Sequence, residues 1–559
     1  MSLASLRARA SGEEARQRVT LAVILMSTLI VVLDNTVLNV AIPTILRDFH
    51  TTVPTLEWVI TGYALTFATL LIIGGRLGDL YGTRRMFIIG AGIFGAGSLL
   101  AALSWNVGSL ILGEAVIEGI GASLMLPATL SILSSSFHGP ERAAAFAAWG
   151  AVAGSAAGLG PLVGGFLTTE ASWRWSFGIN VIIAPLAMLG AYLFIAKGPR
   201  AATNREPLDA GGAALIASGM FCLVFAISEG GTYGWFRPVS TFRLGPRTVW
   251  PDSWPVSIVP VTFVVALVLL FAFYHYERRR RAPLFEFSLL AHRTFRYGLL
   301  STVVLAMGQF GMSLTLALFL QESLHLTALQ NGLWMLPFGM LVLIAAPIGG
   351  RLARRVTTVS VVRIGLVSQA VALLYIAMSM TTSATFLRFL PGLILYGVGS
   401  GFAMSQLTNV VLSEIPNNKS GVASGTNTTS RQVGSALGIA VIGTVVTVAT
   451  INHSTAAINA TSLPPGVKQV AIGRVHAMGA DYTPLPSAPP AVADRLNSIV
   501  AHSVATAGHD ALLFATGMLV VGTVLSLLIP NRAMRVPTTA EELATLVPID
   551  AEAAVGEPA

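Results

Sequence analysis

The sequence predicts an all-α integral membrane protein of about fourteen spanning helices. Three observations predict it. Of 559 residues, 54% are hydrophobic and only 11% charged, at a mean hydropathy of +0.72, whereas a soluble chain carries about a quarter charged residues. Apolar runs of spanning length recur from near residue 20 to near residue 530, which leaves little room for a soluble domain. Lys and Arg, finally, fall unevenly between alternate connecting segments.

The apolar stretches cover residues 21–43, 58–77, 86–103, 109–133, 143–167, 177–196 and 210–228, then 256–276, 298–320, 332–352, 359–378, 386–412, 433–450 and 511–529. Each offers the ~20 residues that a ~30 Å hydrocarbon core requires. The first follows Arg18, is too long for a signal-peptide core and lacks a cleavage site, so it reads as an uncleaved helix after a cytoplasmic segment 1–20. An even number of spans puts both termini on one side. Gly75-Arg76-Leu77-Gly78-Asp79 closes the second stretch and Gly350-Arg351-Leu352-Ala353-Arg354 the tenth. This echo predicts two related six-helix halves, 21–197 and 298–530, with linkers and an inserted helix pair in 198–297. Parallel repeats of this kind place a substrate site between them near mid-membrane. The segment 451–509, Pro-rich near its middle, reads as an extracytoplasmic loop, and 531–559 as a disordered acidic cytoplasmic tail.

The net charge of +8 and pI near 9.9 invite a nucleic-acid reading that position argues against. Alternating sides from a cytoplasmic N-terminus assigns 25 of the 34 Lys and Arg to the N-terminal side, among them Arg142, Arg363 and Arg431, and leaves 9 for the other. That is the positive-inside bias, so the charge reports topology. Arg278 to Arg281 also suits contact with anionic headgroups. The single Cys222 excludes an intrachain disulfide, and three Lys against 31 Arg points to a GC-rich bacterial genome. No Walker A sequence and no His-Glu pair occurs, which argues against an ATP-driven pump and a zinc protease. Neither cofactor nor metal is expected.

Ionisable groups at membrane depth are costly enough to be functional candidates. Asp34 lies mid-way along the first helix with Asn35 and Asn39 beside it, and Glu114 and Glu118 share one face of the fourth. Burial and a neighbouring carboxyl both favour the protonated form, so such groups can take and release protons near neutral pH. The plainer alternative is that they satisfy polar neighbours such as Asn35 or Asn39. The fifth helix carries Gly150, Gly154 and Gly158, then Gly160-Pro161 and Gly164-Gly165. This spacing predicts a tight seam with a proline bend, although ordinary helix packing also accounts for the stripe. In Gly75 to Arg85, Gly75, Gly78 and Gly82 allow a tight turn, while Asp79, Arg84 and Arg85 can bond helix ends as a gating latch. Topogenic charge alone would explain the arginines but not Asp79.

These residues resemble the major facilitator superfamily in its fourteen-helix drug:proton antiporter branch. Leu33-Asp34-Asn35-Thr36 through Asn39-Val40-Ala41-Ile42-Pro43 resembles the branch's first-helix motif, and Gly75 to Arg85 the superfamily's signature loop. Gly158-Leu159-Gly160-Pro161-Leu162-Val163-Gly164-Gly165 is similar to the antiporter motif, and Trp173-Arg174-Trp175-Ser176-Phe177 with Ile179-Asn180-Val181 is also typical. One departure stands out: where the family's fourth helix has an arginine and then a glutamine before Gly119, this chain has Ala115 and Glu118. The resemblance implies a monomeric exporter of amphipathic, cationic small molecules in the plasma membrane, driven by protons through alternating access and without a cofactor. Export of one endogenous metabolite or lipid on the same fold is the alternative. A membrane sensor, with 451–509 as its ligand domain, is the reading from another class.

Overall fold

The computed structural model describes residues 3–51, 53–196, 208–244, 247–280, 283–416, 419–478 and 489–531. Six long helices come first: α1 (Leu3–Phe49), α2 (Val53–Tyr81), α3 (Thr83–Ala102), α4 (Val107–Ser136), α5 (Gly139–Glu170) and α6 (Trp175–Phe194). A pair follows, α7 (Ala210–Ser228) and α8 (Ile258–Glu277). Six more complete the chain: α9 (Arg293–Ser323), α10 (Ala328–Arg355), α11 (Thr358–Ser379), α12 (Phe386–Leu412), α13 (Ser420–Asn459) and α14 (Pro490–Leu527). Among the described residues thirteen helices are long and apolar enough to cross a membrane; α5 is the further long helix, packed between α1 and α10.

Polar side chains fix several helix starts by accepting backbone N–H groups that have no partner inside the helix. Asn106 and Ser109 cap each other's backbone at the start of α4, Thr327 and Gln330 do so at α10, and Asp209 accepts the N–H groups of Gly211 and Gly212 at α7. Between α7 and α8 a short hairpin pairs β1 (Phe242–Leu244) with β2 (Arg247–Trp250) antiparallel, Leu244 opposite Arg247. Outward positions such as Leu186, Leu189 and Leu193 on α6 and Val264, Leu267, Val268 and Phe271 on α8 are exposed. An apolar outer surface around a buried core suits lipid as the solvent.

Helices α1–α4 and α6 pack mainly on their own bundle, as do α9–α14, whereas α5 packs on α1 and more extensively on α10 and α12; α7 and α8 pair, and α7 lies against α2 and α13. The two bundles meet along α2 with α13 and along α5 with α10 and α12. Arginines gather at the end that holds the α2–α3, α8–α9 and α10–α11 connections, hereafter the Arg-rich end.

Several expected boundaries are corrected. The helix expected over 21–43 runs unbroken from Leu3 to Phe49, so residues 3–20 continue it as helix. Those expected over 433–450 and 511–529 extend to Ser420–Asn459 and Pro490–Leu527. The expected loop 451–509 is therefore largely helical, since α13 and α14 project into it and a helix Pro465–Met478 joins them. Ile458, Ala471, Val475, Leu496, Val500 and Val504 form its small core. The Pro-rich stretch 479–488 and the tail 532–559 lie outside the described residues.

At the end opposite the arginines, Trp173 knits the first bundle together. It is 1% exposed, meets Phe49 and Phe177 edge-on, and donates its indole N–H to Asp48 at 2.7 Å. Arg174 stacks on the Trp173 ring and bonds the Ser104 carbonyl, linking α1, α3 and α6. Truncating a buried aromatic of this size costs about 3–5 kcal/mol. Trp173→Ala is expected to lower the thermal midpoint of the detergent-solubilised protein clearly, and Trp173→Phe by much less.

Candidate functional site

The three candidate acids converge inside the first bundle. A π-helical turn, Ile111–Glu118, interrupts α4 and carries both Glu114 and Glu118; such turns are rare and recur at functional sites. Close approach of α3 sets the geometry, because a Cβ on Gly97 would meet the Glu118 backbone nitrogen at 2.6 Å and one on Gly113 the Ala101 nitrogen at 2.8 Å. Ser98 on α3 thereby donates its hydroxyl to Glu118 Oε1 at 2.6 Å. Asn180 on α6 donates its side-chain amide to Asp34 Oδ1 at 2.9 Å and to Glu118 Oε1 at 3.1 Å. One oxygen from each of Asp34, Glu114 and Glu118 lies within 4.8 Å of the others. Their exposures are 4%, 1% and 0%.

Charge decides what this cluster can be. Among the described residues no Lys, Arg or His forms an ion pair with any of the three. Each acid also keeps one buried oxygen without a hydrogen-bond donor. Two unit charges 4.8 Å apart repel by about 3.5 kcal/mol at an effective dielectric of about 20, before the cost of desolvating each carboxylate. Three bare carboxylates are untenable here, so the cluster must hold protons or a cation. The expected neighbours Asn35 and Asn39 have side chains outside the described residues. Among the described residues, Asn180, on another helix, is the amide that reaches the acids.

The signature loop lies where the bundles meet at the Arg-rich end. Gly82, at φ 96°, makes the α2–α3 turn in a conformation that L side chains rarely adopt, and Gly78 packs under Thr83. Asp79 accepts the backbone N–H of Gly421 at 2.8 Å and of Val422 at 2.9 Å, so a carboxylate from one bundle caps the first turn of α13 in the other. Gly75 and Gly421 face each other so closely that a Cβ on either would collide with the other's carbonyl oxygen. Ser131 and Ser420 meet at 2.6 Å, and Arg142 donates to the Leu412 carbonyl at 2.9 Å. Arg84 bonds the Tyr192 carbonyl and stacks on its ring, within its own bundle, and Arg85 is exposed. Of the arginines in the loop motif, neither Arg84 nor Arg85 spans the interface.

Along α5 the small residues divide between two partners. Gly150 lies against Ser405 of α12, and Gly154 against Val342 of α10 and Met404 of α12, while Gly164 backs onto Val37 of α1. Gly160 is buried and Gly165 sits near Leu329. The side-chain surroundings of Gly158 and Pro161 lie outside the described residues, but the helix runs through both without a break.

The profile of the Major Facilitator Superfamily matches residues 24–439. The chain belongs to this superfamily. It is thus a multi-pass transporter of small molecules and not an enzyme. Similar superfamily members include the probable actinorhodin transporter of Streptomyces coelicolor, 33% identical over 77% of this chain and 72% of its own length. The puromycin resistance protein of Streptomyces alboniger is 33% identical over 79% and 84%, respectively, and the tetracenomycin C resistance and export protein of Streptomyces glaucescens 28% over 78% and 77%. In fold, the chain resembles a human organic anion transporter at a TM-score of 0.57 and 15% identity, covering 91% of this chain and 99% of that one. It also resembles a proton:xylose symporter at 0.54 and 14%, covering 96% and 99%.

Within this superfamily fold, sequence reasoning missed two residues at the bundle interface and one in the acid cluster. Asn180 appeared only as part of a motif. Arg142, counted as loop charge, ties α5 to α12. Arg431, also counted as loop charge, is corrected to a position eleven residues inside α13, where its guanidinium lies 5.1 Å from the centre of the Trp149 ring on α5.

Proposed function

We propose that this chain exports amphipathic small molecules across the plasma membrane in exchange for protons, acting as a monomer by alternating access with both termini in the cytoplasm. The observation that carries the reading is the buried trio Asp34, Glu114 and Glu118, one oxygen of each within 4.8 Å of the others, with no Lys, Arg or His paired to them among the described residues. A site that must take up protons as the price of closing, and can give them up when reopened, suits proton exchange. Its hydrogen-bond donors come from α3 and α6, whose main contacts are with their own bundle. That placement favours protons as the neutralising species over a charged substrate lying between the bundles. The expectation of cationic substrates rests on these same acids, and they turn toward Ser98 and Asn180.

Relatives named for actinorhodin transport, puromycin resistance and tetracenomycin C export support outward movement of such compounds. They also favour, as a second reading, export of one endogenous compound rather than many, which a transport screen across unrelated compounds separates. The arginines at the end closed by Asp79, Ser131 and Arg142 support a cytoplasmic placement of that end. The test uses inverted vesicles containing the full chain, an acidified lumen and a lumenal pH dye. Adding a transported compound is expected to release lumenal protons at a rate that rises with its concentration. Transport of that compound with no proton movement would remove antiport.

A further inference from the structure

We infer that the second bundle holds a carboxylate-binding site built on Arg431, and that the exported compounds carry an acidic group on an apolar or aromatic body. The inference rests on the export reading and names the substrate class that reading leaves open. Arg431 lies eleven residues into α13, or about 16 Å along the helix at 1.5 Å per residue, roughly half the depth of the hydrocarbon core. A guanidinium at that depth is expensive without a partner. Among the described residues no Asp or Glu lies within ion-pair distance of it. Its guanidinium carbon lies 5.1 Å from the centre of Trp149, a wholly buried ring from the opposite bundle.

A narrow cleft with room for about one water molecule lies beside the guanidinium in this closed arrangement of the bundles. Its polar lining is neutral: Thr302 and Gln309 of α9, Thr408 of α12 and Asn427 of α13, all buried; the threonine hydroxyls donate to the Gly298 and Met404 carbonyls, and the side-chain amides of Gln309 and Asn427 supply the donors. The Thr302 hydroxyl also lies 3.3 Å from the Asn427 side-chain oxygen. Met404, Leu305 and Leu407 supply the apolar wall. The guanidinium lies over the Trp149 ring and donates no hydrogen bond among the described residues, so its N–H groups are left for an acceptor in the cleft. A carboxylate matches that fork with two parallel charge-assisted hydrogen bonds. The acids of the first bundle are committed to Ser98, Asn180 and one another, so Arg431 is the charged group that faces the cleft.

The test compares 2-naphthoate with 2-naphthamide, which share one aromatic body and differ in charge, by equilibrium binding to the full chain in lipid nanodiscs without a gradient. Wild type is expected to bind the carboxylate at least tenfold tighter than the amide. Arg431→Gln should erase that preference by weakening the carboxylate alone, and Arg431→Lys should restore part of it. A wild type that binds the two equally, or binds neither, overturns the inference, and this comparison needs no variant to fold. Arg431→Gln weakening both probes equally would also overturn it, because Arg431 would then serve only as a tie to Trp149. Binding is read without proton movement, so failed antiport leaves this site standing and failed carboxylate preference leaves antiport standing.

Discussion

Asp34→Asn is expected to reduce substrate-driven proton release to that of empty vesicles while the protein still folds and inserts. The asparagine keeps an oxygen where Asp34 Oδ1 accepts from Asn180, so the hydrogen bond survives and only the titratable proton is lost. Glu118→Gln behaves in the same way toward Ser98 and Asn180 and should also uncouple. Glu118→Leu is different in kind: it strands two buried donors, at a cost of about 1–3 kcal/mol each, and its thermal midpoint should fall where that of Glu118→Gln does not. Glu114 bonds no hydroxyl or amide donor among the described residues and lies against the other two carboxyls. Glu114→Gln is therefore expected to slow proton exchange without abolishing it, because a neutral amide relieves the repulsion that makes the cluster give up a proton. Proton flux and thermal midpoint measured on the same four variants separate coupling from folding. Wild-type exchange in Asp34→Asn would take Asp34 out of the mechanism.

The acids were legible because burying a carboxyl among leucines and valines has a cost that sequence alone exposes. Their arrangement was only partly so. That Glu114 and Glu118 share a face follows from helical spacing, but the approach of Asp34 depends on how α1 packs on α4, and Asn180 stands 146 positions from its partner. The second bundle was harder to read. The stretch 420–430 is rich in Ser, Thr, Gly and Asn, so it reads as loop and pushes the apparent start of its helix beyond Arg431. In the fold, Ser424, Asn427 and Thr428 are buried, and α13 packs on α2. Hydropathy senses helices that face lipid. A helix that faces another helix can be polar throughout its first turns, and a functional arginine within it is then mistaken for a topological one. The same effect runs in reverse at 451–509, where the helices lose a continuous apolar signature but not their backbone hydrogen bonds.

Asp79→Asn is expected to open the Arg-rich end of the transporter. Both Asp79 oxygens accept N–H groups from the first turn of α13, where a negative charge is favoured by the helix dipole. Asparagine loses the charge and one of the two acceptors, a change of about 1–3 kcal/mol for a charge-assisted bond, enough to shift the closed-to-open ratio by roughly one to two orders of magnitude. Ser131 and Ser420, whose hydroxyls meet at 2.6 Å, provide the gauge. With Cys222 replaced by Ser, the pair Ser131→Cys and Ser420→Cys should cross-link rapidly under mild oxidation. Adding Asp79→Asn should slow that reaction and expose both thiols to a membrane-impermeant maleimide in inverted vesicles. Gly421→Val should act more strongly, because its side chain would collide with the Gly75 carbonyl and the Asp79 carboxylate together. Neither change touches the acids or the Arg431 cleft, so 2-naphthoate should still bind in the open form while export slows. Cross-linking unaffected by Asp79→Asn would assign closure to Arg142, the Ser131–Ser420 pair and the glycine contact, and reduce Asp79 to a helix cap. A shift with Asp79→Asn makes the signature loop a gate whose strength is set by one carboxylate and two backbone N–H groups.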